Sequence, residues 1–68
     1  MKFDNKTFRK DFITVRLIDK NISMQQASDE IGISKATVSR IEKGKTPDID
    51  TFLKVLKWLG YLPNRYFK

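Results

Sequence analysis

Lys35, Ala36, Arg40 and Lys43 are spaced so that, at 100° per residue, Ala36, Arg40 and Lys43 share one side of a helix with Ser39, and Lys35 lies at its N-terminal end. These residue types suit contact with a polyanion whose edges carry acceptors. The planar fork of Arg40 can donate two hydrogen bonds to guanine O6 and N7, and Lys35 can do the same with less geometric discipline. Ala36 is small enough to bring the backbone near a base edge and can touch a thymine methyl. Ser34 and Thr37 at the helix start, Gln25 at the start of the preceding helix, and Lys43 and Lys45 bracketing the turn after the helix suit phosphate oxygens. For any one of these residues an ordinary solvated face is the simpler reading. The constellation favours the polyanion, because Lys35, Arg40, Lys43 and Lys45 fall within eleven residues against a single acid, Glu42.

The composition agrees. The 68 residues fit one domain and carry a net charge of +6, which favours an anionic partner, chiefly nucleic acid. Apolar residues make up 40%, including five Phe, two Tyr and one Trp, enough for one compact core. There is no Cys and no His, so disulfides are excluded and most metal sites become improbable. Without His, Cys, a glycine-rich phosphate loop or clustered carboxylates, the chain is expected to be neither an enzyme nor a cofactor binder. No apolar run approaches the length of a membrane span, so no membrane association is expected, and the chain fits a cytoplasmic, nucleoid-associated address.

Three glycines, Gly32, Gly44 and Gly60, each follow a helical pattern where a left-handed residue is wanted, and Pro47 and Pro63 follow two of those stops. This punctuation predicts about five helices and no strand. The first runs from about Asn5 to Lys20, with Asp4 or Asn5 as N-cap. It carries a stripe of Phe8, Phe12 and Val15 and a second stripe of Ile13 and Leu17. Two stripes imply two neighbours, the second expected to be the aromatic C-terminal segment, or else an interface. Ser23 and Gln26 form a capping box for the second helix, whose buried face is Met24, Ala27 and Ile31. The third runs from Lys35 to about Lys43 behind Ser34, with Val38 and Ile41 inward. The fourth follows Asp48, with a core stripe of Ile49, Phe52, Leu53, Leu56 and Leu59, and with Val55 and Trp58 pointing elsewhere. A short last helix opens at Pro63. Glu42 leans inward, so it either meets a cation, with Arg16 the first candidate, or stays exposed without a fixed partner.

The run Gly32-Ile33-Ser34, Thr37-Val38-Ser39-Arg40-Ile41-Glu42-Lys43-Gly44 and Pro47 resembles the Cro/C1 (XRE-type) helix-turn-helix family, over residues 8 to 60. The resemblance implies an all-α, five-helix, lambda-repressor-like domain over residues 1–68. Its helix-turn-helix motif would lie at 23–44, binding an operator in double-stranded DNA as a homodimer and regulating transcription. By position it implies base reading at Lys35, Ala36 and Arg40, and phosphate contact or positioning at Gln25, Thr37, Ser39 and Lys43. It also implies an arginine from the first helix on Glu42, for which Arg16 is the nearest match. Three departures stand out. Met24 replaces a usual Gln, Ala27-Ser28 replaces a usual Leu-Ala pair, and the stretch from Leu17 to Ile22 is about one residue longer.

The last residues crowd Tyr61, Leu62, Tyr66 and Phe67 beside Trp58. They either cap the second stripe of the first helix or, through Trp58, Tyr61, Tyr66 and Phe67, form a dimer face with aromatic anchors. An alternative function on the same fold is an antitoxin-like module whose chief contact is a regulatory protein partner.

Overall fold

A computed structural model describes residues 2–68. Helix α1 (Asn5–Thr14) opens on Asp4, whose carboxylate accepts from the Thr7 amide at 3.1 Å and from the Thr7 hydroxyl at 2.6 Å. It continues into a π-helical turn, Val15–Asp19, closed by the Lys20 amide on the Val15 carbonyl at 2.9 Å. A π turn takes one more residue than an α turn, and Arg16 lies within it. Asn21 then reverses the chain at φ 52°, a left-handed conformation that Asn tolerates better than most residues. Helices α2 (Met24–Ile31), α3 (Lys35–Glu42) and α4 (Ile49–Leu59) follow, and a 3-10 turn at Pro63–Tyr66 ends the helical part.

Among the described residues the architecture is all-α, with four helices and a 3-10 turn in place of a fifth full helix. The extended ends add one feature that the absence of a strand pattern did not suggest. Phe3 and Phe67 form an isolated antiparallel bridge, with the Lys2 and Lys68 amides each bonded to the other's carbonyl at 2.7 and 2.9 Å. The core beneath gathers Phe8 and Phe12 of α1, Val38 and Ile41 of α3, Phe52, Val55 and Leu56 of α4, and Tyr66. The rings of Phe8, Phe52 and Tyr66 meet at centroid distances of 5.3 to 6.1 Å, mostly edge to face, a favoured aromatic arrangement.

Two sequence expectations need correction. The buried face of α4 is Phe52, Val55 and Leu56, while Ile49 and Leu53 are 66% and 51% exposed. The helix is turned by roughly 40° from the expected stripe, because Tyr66 and Phe3 cover it from one side and α2 from the other. Nor does the aromatic tail cover the second stripe of α1. Tyr66 is fully buried against Phe8, on the first stripe, and Leu17 stays 47% exposed.

Asp11 explains the choice. Its carboxylate accepts from the Tyr66 hydroxyl at 2.8 Å and from Arg65 at 2.7 Å, so the tail is pinned to the flank of α1 that carries both Phe8 and Asp11. Burial opposes ionisation of Asp11, but the hydrogen bonds from Arg65 and Tyr66 outweigh it and hold the carboxyl below its ordinary range. Burial and the Asp11 hydrogen bond push the Tyr66 hydroxyl well above its ordinary value. Asp4, bonded by Thr7 and Lys68, drops from 3.8 to about 2. A carboxylate depressed in the folded state stabilises the fold above its unfolded value, and that stability is lost as pH falls through the folded value. Stability is therefore expected to decline from about pH 4 towards pH 2, and less steeply in Asp11→Asn. Asp11→Ala leaves a buried hydroxyl without a partner and should cost about 1–3 kcal/mol, read as a lowered thermal midpoint at neutral pH.

Candidate nucleic-acid interface

Helix α3 is held in place from every side that faces the protein. At its start Ser34 caps it, the hydroxyl accepting from the Thr37 amide at 3.1 Å. Before it, α2 is fixed by the Ser23–Gln26 capping box and ends on Gly32 at φ 87°, a left-handed turn that a side chain would strain. The Ile33 amide returns to the Ser28 carbonyl at 3.1 Å, which sets the angle between α2 and α3. Along its length Val38 and Ile41 are buried in the core.

At its end α3 is joined to α1. The Arg16 guanidinium donates through Nε to Glu42 Oε2 and through Nη2 to Glu42 Oε1 at 2.9 Å, and its Nη1 donates to the Ile22 carbonyl at 3.0 Å. Both side chains are about nine-tenths covered, at 10% and 11% exposure. One arginine thus ties α1, the turn before α2, and α3. A second set of contacts was not legible in the sequence. Arg9 Nε donates to the Glu42 carbonyl at 2.6 Å and Asn5 Nδ2 to the Gly44 carbonyl at 2.7 Å, so α1 caps the open carbonyls at the end of α3. The available signal was spacing: Arg9 lies two turns before Arg16, on the same side of α1.

With its inner face so fixed, α3 turns Lys35, Ala36, Arg40 and Lys43 to solvent, and Thr37 and Ser39 are half-buried at the edge. Arg40 Nη2 donates to Thr37 Oγ1 at 3.1 Å, and Thr37 Oγ1 lies 2.8 Å from Ser34 Oγ. The guanidinium is thereby drawn along the helix towards its N-terminal end, where Lys35 stands. Gln25 is exposed, but its amide donates to Ser28 Oγ and Asp29 Oδ1, both at 3.1 Å, so the side chain must exchange these bonds to reach a ligand. Lys45 is exposed just past the end of α3. Met24, in place of a Gln, is half-buried against the core. Ala27 and Ser28 occupy the α2 packing site, where the Ser28 hydroxyl is satisfied by the Gln25 carbonyl at 2.7 Å. Among the described residues no cluster of potential metal ligands occurs, and no helix is long and apolar enough to cross a membrane.

The dimer-face candidates separate. Tyr66 is completely buried and offers nothing to a second chain, since its ring fills the core and its hydroxyl belongs to Asp11. Trp58 is half-buried, its ring 5.4 Å from Phe12 and its Nε1 bonded to Glu30 at 2.9 Å. Tyr61 and Phe67 are each 36% exposed, Tyr61 beneath the Arg65 guanidinium at 4.4 Å.

A family model described as Helix-turn-helix matches residues 14–63, well over half of the chain. The chain belongs to that family, in its Cro/C1-type, XRE branch. The membership supports a DNA-binding helix-turn-helix regulator. Comparisons with curated proteins and with solved structures gave no match.

Removing one partner of the Arg16–Glu42 pair strands a nearly buried charge. Glu42→Ala is therefore expected to cost about 3–5 kcal/mol in urea denaturation, and the double exchange Arg16→Met with Glu42→Leu should cost clearly less than Glu42→Ala alone.

Proposed function

We propose that this chain is a sequence-specific reader of double-stranded DNA that places α3 in the major groove and represses transcription at its operator. The observation that carries the reading is the outward face of α3, made only of small or cationic residues, on a helix whose inner face is locked to two neighbours. Lys35 and Arg40 present donors to base edges at the N-terminal part of α3, and Ala36 leaves room for close approach. Gln25, Ser34, Thr37, Ser39, Lys43 and Lys45 surround that patch and supply phosphate contacts that set register without choosing sequence. A module of this size covers little DNA alone, so it acts as a homodimer, at least on DNA, reading two half-sites one turn apart. It works by binding rather than catalysis, within the nucleoid.

Arg40→Ala is expected to cost roughly 1–3 kcal/mol at the selected operator and to relax base preference at one position. Lys43→Ala should weaken all duplexes alike and reduce the salt slope by about one. Titration of both variants against selected and scrambled duplexes checks this, and unchanged binding by Arg40→Ala would sink the groove assignment.

A further inference from the structure

Two large apolar side chains of α4 stand largely in solvent. Ile49 and Leu53 sit one turn apart on its outer side, 66% and 51% exposed. Beside Ile49 lies a groove of about 230 Å³ whose apolar walls are Phe3, Pro47, Phe52 and Phe67. Scattered apolar residues on a surface are ordinary, but a contiguous apolar patch rimmed by charge marks a contact site. The charge here has a particular symmetry. Asp50 lies in the first turn of α4 and Lys57 in the last, and both are exposed. Seven residues apart, they fall within roughly 20° of each other around the helix, next to Leu53.

We propose that this outer stripe of α4, with the adjoining groove, is a self-association surface that packs on the same surface of a second copy with the two α4 helices antiparallel. A two-fold axis near Leu53 sets the apolar stripes together and brings Asp50 of each copy to Lys57 of the other, so the ion pair is made twice. Antiparallel helix dipoles add to the attraction. No other occupant fits both features as well, because the patch complements itself in charge as well as in polarity. Lys35, Ala36 and Arg40 belong to α3 and do not line the groove. The inference assigns the surface for the dimer and rests on the proposed DNA reading for its purpose.

Sedimentation equilibrium of the full chain tests it, with circular dichroism to confirm folding. The wild-type chain is expected to dimerise with rising concentration. Leu53→Glu, at an exposed position, should stay folded and monomeric. Asp50→Lys and Lys57→Asp, each alone, should weaken association at least about tenfold by setting like charges opposite one another. The chain carrying both exchanges should regain most of the loss. A role confined to the helix itself predicts the reverse, since both exchanges oppose the helix dipole and the double variant would be the worst. A wild-type chain that remains monomeric up to about millimolar concentration, free and with duplex DNA, overturns the proposal, as does a double variant that fails to recover. Anisotropy with a random-sequence duplex at low salt separates the two readings. A wild-type chain that dimerises but binds no duplex defeats the DNA reading and leaves the surface standing. Retained but weaker binding by Leu53→Glu supports both.

Discussion

Arg16 is a charge placed where water is nearly excluded, and the geometry of the rest follows from how that charge is satisfied. Two of its donors are taken by Glu42 and a third by the Ile22 carbonyl. A buried ion pair of this kind adds little net stability over an apolar pair, yet it permits few alternative arrangements, because any shift of α3 against α1 leaves both charges unpaired. It acts as a registry device. The caps from Asn5 and Arg9 onto the Gly44 and Glu42 carbonyls extend the same constraint to the end of α3. A helix that must offer side chains to a ligand at fixed positions needs this restriction more than it needs a few tenths of a kcal/mol.

The second constraint closes the domain through its two extended segments. Asp11 collects the Tyr66 hydroxyl and the Arg65 guanidinium, Asp4 pairs with Lys68, and the Phe3–Phe67 bridge joins the two ends. Small domains bury a limited fraction of their surface, and here Phe3 and Tyr66 complete the core of Phe8 and Phe52 from outside the helices. The two ends therefore serve the fold, while α2 and α3 are left to serve the ligand.

What could be read from the sequence was governed by local chemistry. The caps at Ser23, Ser34 and Asp48, the left-handed glycines and the inward pair Val38–Ile41 are written within a few residues of where they act. The outward placement of Lys35, Ala36 and Arg40 follows from that inward pair by helical period alone. The face of α4 was harder, because Ile49 and Leu53 fit an apolar stripe as well as Val55 does. The tail, brought across by Asp11 some 55 residues before Tyr66, decides together with Phe3 and α2 which side is covered. Arg9 offered only its spacing from Arg16, since its acceptor is a backbone carbonyl from a helix 33 residues away.

The central claim is that α3, braced by Arg16–Glu42, is the surface that meets DNA. Backbone amide chemical shifts followed by NMR during titration with a short duplex at low salt test it directly. The account predicts the largest changes at Lys35 to Arg40, with smaller ones at the start of α2 and at Lys43 to Lys45. Changes concentrated on the outer face of α1 or on the aromatic tail, with α3 silent, would contradict it.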